Sequence, residues 1–154
     1  MSSTDTLCFA PLDLAQLPQM LQVEQSAHPY PWREALLRDA LVGESRLAVG
    51  LWVGGELVGF YLADWVLDES TLHNICLLPA CRGRRWGEAL LKHYLQQTAA
   101  LGISHWWLEV RRSNLVAQSL YLRAGYQQVG VRKGYYACQD GREDALVMAC
   151  HRTD

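Results

Sequence analysis

The hexapeptide Arg82-Gly83-Arg84-Arg85-Trp86-Gly87 lies between an apolar stretch that predicts a strand and an amphipathic stretch that predicts a helix. A glycine-containing turn that opens a helix presents unpaired backbone N–H groups, and the helix dipole adds positive potential there. The turn therefore predicts a phosphate-binding loop. Three short segments that each contain at least one polar side chain follow it: Trp107-Leu108-Glu109-Val110, Ser113-Asn114 and Leu120-Tyr121.

Length and composition predict one domain over residues 1–154, because half of the 154 residues are apolar and can form a full core. No apolar run approaches the roughly 20 residues of a membrane span. The N-terminus does not resemble a signal peptide. The five cysteines include no Cys-x-x-Cys pair, which favours reduced thiols in a cytoplasmic protein. The spacing of His73, Cys76 and Cys81 matches no zinc pattern, so no metal is expected.

The net charge of −2 is unevenly distributed along the chain. Residues 1–81 hold three Arg against ten Asp and Glu, whereas residues 82–133 hold nine Arg and Lys against two Glu. This split favours an anionic ligand for the basic part and a cationic one for the acidic part, although two solvated faces explain it equally well. The overall acidic balance argues against a nucleic-acid surface. Trp106 and Trp107 lie in an apolar run, and at least one of them is expected in the core.

The periodicity of apolar residues predicts interleaved strands and helices. Strands are predicted at 7–10, 46–53, 56–67, 71–78, 103–110, 126–133 and 142–151, and helices at 18–27, 32–41, 87–101 and 114–124. Gly54-Gly55 predicts a two-residue hairpin turn, and Gly102 and Gly125 predict helix ends. The buried faces of the last three helices are predicted to carry Leu36, Leu37 and Ala40; Leu90, Leu91, Tyr94, Leu95 and Leu101; and Ala117, Leu120, Tyr121 and Ala124.

Glu109 and Tyr121 are the candidates for acid–base chemistry. A carboxylate partly removed from water holds a proton more readily and can serve as a general base near neutral pH. The alternative for Glu109 is a strand-edge carboxylate paired with Arg111 or Arg112, and the alternative for Tyr121 is core packing.

The phosphate turn lacks both the Lys-Ser/Thr of a P-loop and the full Gly-x-Gly-x-x-Gly of a dinucleotide fold. With the segments around it, the turn resembles that of the GCN5-related N-acetyltransferase (GNAT) superfamily, where it binds the pyrophosphate of acetyl-coenzyme A. The closer resemblance, from about residue 17 onward, is to the bacterial ribosomal-protein-alanine N-acetyltransferases, the RimI type. It rests on these segments: 23–28, Pro31-Trp32, 67–69, Thr71-Leu72, Asn74-Ile75, 107–111, Ser113-Asn114, Leu120-Tyr121, Gly125-Tyr126, Tyr135-Tyr136 and 140–145.

This resemblance implies an α+β, single-domain GNAT fold. Its mixed, mostly antiparallel sheet would have about seven strands, with about four helices flanking it and a splay between the fourth and fifth strands. The implied activity is transfer of an acetyl group from acetyl-CoA to the N-terminal alanine amine of small-subunit ribosomal protein 18, by direct attack in a ternary complex. A small amine or antibiotic as acceptor, or a non-catalytic binding module, stays open.

The resemblance also assigns roles to residues. It gives the general base to Glu109 and the general acid to Tyr121, and a main-chain N–H near Cys76 would hold the thioester oxygen. Acetyl-CoA contacts are assigned to Ile75, Cys76, Leu77, Arg82, Gly83, Arg84, Arg85, Trp86, Gly87 and Asn114. The chain departs from the family in two places, with Arg85 where the family has Gly and Leu78 where close relatives have Asp. Gly is favoured at the first position by close approach of the phosphate or by a positive φ.

The acceptor is expected to be an α-amine, because its reference pKa of about 8 leaves it neutral far more often than Lys at about 10.4. The acidic N-terminal half, including Asp68 and Glu69, favours a protein N-terminus followed by basic residues. A small-subunit ribosomal protein fits that description. No nucleic-acid or membrane partner is expected.

Overall fold

The computed structural model describes residues 6–152, and in it seven strands form one sheet in the order β1-β2-β3-β4-β5-β7-β6. The strands are β1 (Cys8–Pro11), β2 (Arg46–Val53), β3 (Glu56–Val66), β4 (Glu69–Leu77), β5 (His105–Arg111), β6 (Gln127–Cys138) and β7 (Gly141–His151). The α-helices are α1 (Leu17–Ala27), α2 (Glu34–Ala40), α3 (Trp86–Ala100) and α4 (Leu115–Arg123). Every neighbouring pair is antiparallel except β4 and β5, which confirms the expected mixed sheet.

The two faces of the sheet bury separate apolar clusters. The first cluster joins β3 and β4 to α1 and α2, through residues such as Met20, Leu37 and Phe60. The second cluster lies on the opposite face, under α3 and α4, and includes Leu90 and Tyr121. Helices α1 and α2 pack on the first face, mainly over β2, β3 and β4.

Two residues predicted to be buried are exposed. Leu36 is 47% exposed and Leu101 is 49% exposed. Helix α2 is two residues shorter at its start than predicted and buries only Leu37, while Leu101 is the C-cap of α3 and lies beyond its packed face. The hairpin at Gly54-Gly55 is confirmed, with both glycines at positive φ. Trp106 is buried, which confirms that at least one of the two tryptophans lies in the core, and Trp107 is partly buried.

The parallel pair β4–β5 is short, and its end opens the sheet. Its register runs from Glu69 opposite His105 to Leu72 opposite Leu108 and then stops. At that point the register of β4 against β3 skips His73, so β4 carries an extra residue there. Such a bulge bends a strand, and here the pairing of β4 with β5 ends at it while the pairing with β3 continues. Beyond it β4 follows β3 and β5 follows β7, which leaves the expected splay as a V-shaped opening between them.

None of the helices in residues 6–152 has the length and apolar character needed to cross a membrane. All five cysteines are free thiols.

Candidate active site

Two residues of the loop before α3, at positions 83 and 85, have the left-handed backbone conformation that favours glycine. Gly83 has a φ of +83°, and Arg85, the N-cap of α3, has a φ of +63°. A side chain in the left-handed region costs roughly 1 kcal/mol or more. The family's glycine at position 85 is therefore explained by backbone conformation, and this chain has a strained arginine there. The Arg85 side chain is 88% exposed and lies 4.0 Å from the Glu88 carboxylate.

The first turn of α3 presents backbone donors to this loop. The first backbone bond that closes the helix runs from Ala89 N to Arg85 O at 3.1 Å, so the N–H groups of 86–88 precede the helical bonding pattern. A Cβ added to Gly87 would meet only Leu120 Cδ2, at 4.0 Å, so packing does not require glycine there. The Arg82 guanidinium donates to Ala27 O at 2.8 Å, and the Arg84 guanidinium lies 5.1 Å from the Trp86 ring centroid. This arrangement fits a pyrophosphate group.

The edge of β4 adds backbone donors inside the opening. Leu78 N donates to Val58 O at 2.8 Å, which defines 58–78 as a hydrogen-bonded pair of the antiparallel register. Because such pairs alternate, Cys76 also bonds to β3, and the N–H groups of Ile75 and Leu77 point away from β3 into the opening. The thioester oxygen assigned to the region of Cys76 therefore has Ile75 and Leu77 as its candidate donors.

Glu109 lies on β5 just past the last parallel pair. Its neighbours Leu108 and Val110 belong to the cluster under α3, so the Glu109 side chain lies on the opposite face, the face of α1. Glu109 Oε2 accepts a 2.7 Å hydrogen bond from Arg132 on β6, and this bond raises the pKa of Arg132.

The alternative partners of Glu109, Arg111 and Arg112, were wrong. Arg111 pairs instead with Glu143, and Arg112 with Asp144, each at 3.4 Å.

Tyr121 is buried on α4, as predicted, and lies against the Tyr126 ring with 5.8 Å between centroids. Burial, and after it the nearby Tyr136, raises the pKa of the Tyr121 hydroxyl well above its usual value. The hydroxyl therefore keeps its proton at neutral pH.

Asn114 is the N-cap of α4, where its Oδ1 accepts from Ala117 N at 3.1 Å. This capping role accounts for Asn114 within the fold, and its contact with acetyl-CoA stays a prediction.

A second wall of the opening was not predicted from the sequence. The Arg111 guanidinium lies between the rings of Tyr30 and Tyr136, 4.2 and 4.4 Å from their centroids. The Tyr30 hydroxyl also accepts from Gln139 N at 3.2 Å. The loop between α1 and α2 is thus fastened to β5 and to the β6–β7 hairpin. These residues are up to 109 positions apart in the chain, and no short motif joins them.

A buried polar network, also missed, fastens the other end of that loop to β4. Glu24 is fully buried; its Oε2 accepts from Trp32 N at 2.9 Å and its Oε1 from Asn74 Nδ2 at 2.8 Å. Asn74 Oδ1 lies 3.1 Å from His28 Nε2. Burial, and then Glu24, raises the pKa of the Cys76 thiol well above its usual value. The only available signal was the Glu24–His28–Trp32 spacing within the family segments.

Glu24, His28 and Cys76 offer ligand atoms within 4.8 Å of one another, the one such metal-competent group found in residues 6–152. Both Glu24 oxygens already accept hydrogen bonds, and the raised pKa of the Cys76 thiol keeps it protonated, so these two side chains are held as parts of a hydrogen-bonded network. His73 is apart from it and contacts Asp64 at 2.9 Å.

Comparison with known proteins agrees with this geometry. The profile of the Acetyltransferase (GNAT) family matches residues 17–126. A curated relative, the [ribosomal protein bS18]-alanine N-acetyltransferase of Escherichia coli K12, is 38% identical over 138 residues, which cover 90% of this chain and 93% of the relative. The chain therefore belongs to the acetyltransferase (GNAT) family.

Solved structures show the same fold. The ribosomal-protein-S18-alanine N-acetyltransferase from Escherichia coli superposes with a TM-score of 0.91 at 36% identity, over 97% of this chain and 96% of that one. Arabidopsis thaliana NAA60 in complex with acetyl-CoA shares the fold with a TM-score of 0.82 at 18% identity, over 95% of this chain and 98% of that one.

Proposed function

We propose that residues 1–154 form one N-acetyltransferase domain that moves the acetyl group of acetyl-CoA to the N-terminal alanine amine of ribosomal protein bS18. The observation that carries this proposal is the opening between β4 and β5, with the α3 phosphate loop on one side and Glu109 on the other. The specific substrate is supported by the relative from Escherichia coli K12, which is 38% identical and is named as a [ribosomal protein bS18]-alanine N-acetyltransferase.

The main chain binds the acetyl donor. The N–H groups of 86–88 and the positive end of α3 hold the pyrophosphate, with Gly83, Arg84 and Arg85 forming the loop. Arg82, which fastens this loop to the end of α1, contributes positive charge. Along β4, Ile75 and Leu77 donate to the pantetheine arm and to the thioester oxygen as charge develops on it.

Side chains carry the proton transfers. Glu109 accepts the proton of the acceptor ammonium through a water molecule, using Oε1, because Oε2 is engaged by Arg132. The amine nitrogen then attacks the thioester carbon, the C–N bond forms and the C–S bond breaks, and the second proton of the nitrogen passes to water, from which Tyr121 regains the proton it gives up. Tyr121 donates its proton to the departing sulfur, a role that requires the protonated hydroxyl its raised pKa provides.

The test is an intact-mass and fragmentation assay with acetyl-CoA and a basic peptide that begins with Ala and contains an internal Lys. We expect one acetyl group, on the α-amine alone. The matched control is the same peptide with its α-amine blocked, which should remain unmodified. Transfer only to Lys, or to small amines but not to the peptide, would refute the N-terminal assignment.

The acceptor's basic sequence is the finer part of the proposal. Asp68 and Glu69 lie at the β3–β4 turn. In the β4–β5 register Glu69 lies opposite His105, which is four residues before Glu109 on β5. That separation is about 13 Å, the length of four extended residues. A peptide running along β5 from Glu109 would therefore bring its fifth residue to this acidic pair.

We expect Asp68→Lys combined with Glu69→Lys to raise the KM of a peptide with basic residues near position five several-fold, and less at high salt, since exposed charge pairs contribute about 1 kcal/mol or less each. The control is a peptide with neutral residues at those positions. An equal KM for both enzymes with the basic peptide would refute this contact.

A further inference from the structure

The loop 28–32 contacts both strands that flank the opening, β4 and β5. At its start His28 contacts Asn74 on β4, and further along Tyr30 stacks on Arg111 of β5. Asn74 lies just past the bulge that ends the parallel pairing, and its side chain faces α1 because it bonds to Glu24. Glu109 lies just past the same point on β5 and faces the same side. His28 therefore borders the opening across from Glu109.

The buried network also determines which nitrogen of His28 carries a proton. Glu24 Oε1 can only accept, so Asn74 must turn its Nδ2 toward it, and Asn74 Oδ1 then faces His28. Because Oδ1 accepts, His28 Nε2 must donate. In the neutral imidazole this leaves Nδ1 unprotonated, with a lone pair. In the described part of the chain, the side-chain contacts of His28 with Asn74 and Glu24 both involve Nε2, and the His28 side chain is 29% exposed.

We propose that His28 Nδ1 accepts a hydrogen bond from the acceptor's α-amino group and positions it between β4 and Glu109. This inference rests on the proposed transfer to an amine and adds a binding residue to it. Glu24 and Asn74 are positioning residues, because they act through the tautomer of His28.

The same contacts would also serve a purely structural role, in which His28 only ties the loop to β4. The two roles use different nitrogens. A structural tie needs the donor at Nε2, whereas binding of the amine needs the acceptor at Nδ1. Substitutions that retain one function and lose the other therefore distinguish them.

The experiment compares steady-state kinetics of His28→Ala, His28→Asn and His28→Gln with the Ala-initiated peptide at saturating acetyl-CoA. Asn places an amide oxygen near the position of Nδ1, and Gln places an amide donor near that of Nε2. For His28→Ala we expect kcat/KM to fall at least about tenfold, mainly through KM, as expected for a lost hydrogen bond to a charged group. His28→Asn should recover part of the KM, and His28→Gln should not.

His73→Ala is the matched control, since His73 is an exposed histidine at the β4 bulge and contacts Asp64. It should leave KM unchanged. The dissociation constant of acetyl-CoA, measured by calorimetry, should stay within about twofold in every His28 variant, because the amine contact lies outside the donor site.

Three outcomes would overturn the inference: an unchanged peptide KM in His28→Ala, recovery by His28→Gln but not by His28→Asn, or a loss of acetyl-CoA affinity as large as the loss in KM. A wild-type enzyme that binds acetyl-CoA but transfers nothing to the peptide would instead refute the proposed function, and this inference with it. An active wild type with insensitive His28 variants would refute this inference alone.

Discussion

The two sides of the β4–β5 opening are built from different parts of the chain. In the proposed function, the donor side uses backbone groups: the N–H groups at the start of α3 and those of Ile75 and Leu77 on β4. The acceptor side uses side chains from distant elements, such as Arg111 between Tyr30 and Tyr136, and Glu109 bonded to Arg132. The proposed donor side is thus made by backbone conformation, whereas the proposed acceptor side is made by particular side chains.

The largest expected effect is on the acceptor side. Glu109→Gln keeps the shape of the side chain and removes the proton acceptor, so we expect kcat to fall by about 10²- to 10⁴-fold, the usual contribution of a general base. The dissociation constant of acetyl-CoA should not change. Single-turnover kinetics and calorimetry measure the two quantities.

The control for this change is Glu56→Gln, on the exposed edge of the β2–β3 hairpin, which should leave both quantities unchanged. A Glu109→Gln enzyme with more than a third of the wild-type kcat would show that Glu109 is not the base. The difference between the two sides would then have to rest on other side chains.

Tyr121→Phe removes the proposed proton donor, and we expect kcat to fall by about 10²-fold. Because burial raises the pKa of Tyr121, its hydroxyl stays protonated up to and beyond its usual value of 10.0. Tyr121 can act as an acid only while its hydroxyl is protonated. The pH–rate profile of the wild type should therefore show no falling limb from deprotonation of Tyr121 below pH 10.0.

Tyr126→Phe is the matched control. Tyr126 adjoins Tyr121, and its buried hydroxyl has no hydrogen-bond partner. Removing that hydroxyl should leave kcat unchanged and raise the free energy of unfolding by about 1 kcal/mol, since an unsatisfied buried group is costly. Equal kcat in both variants would assign Tyr121 to core packing.

The difference between the two sides also explains what could be predicted from the sequence. The donor loop is local: its glycines, arginines and helix start lie within six residues, and the strand and helix periods around it fix its place. The acceptor side depends on pairings such as Tyr30 with Gln139 and Glu24 with Asn74. Such contacts follow from strand register and the bulge at His73, which no short sequence pattern specifies. The alternative partners predicted for Glu109, Arg111 and Arg112, were wrong for the same reason.

Gly87→Ala tests whether the donor side depends on close approach to the backbone. An added Cβ would meet only Leu120 Cδ2 at 4.0 Å, and Ala is the better helix former, so the free energy of unfolding should rise by roughly 0.5–1 kcal/mol. If a pyrophosphate lies against this backbone, the dissociation constant of acetyl-CoA should rise about tenfold through the steric contact. Thermal unfolding and calorimetry give the two values. Unchanged affinity would show that Gly87 does not contact the donor.

The smallest expected effect concerns Arg85, the non-glycine residue with a φ of +63° at the N-cap of α3. Arg85→Gly relieves the left-handed strain, and we expect the free energy of unfolding to rise by up to about 1 kcal/mol, which is a melting-temperature increase of roughly 2–4 °C. Arg85→Ala is the matched control, because it also removes the charge but keeps the strain. If the donor side is set by its backbone, both variants should bind acetyl-CoA within about threefold of the wild type, since one exposed charge contributes about 1 kcal/mol or less. A tenfold loss shared by both variants would show that the Arg85 guanidinium binds the donor, and the donor side would then depend on a side chain as the acceptor side does.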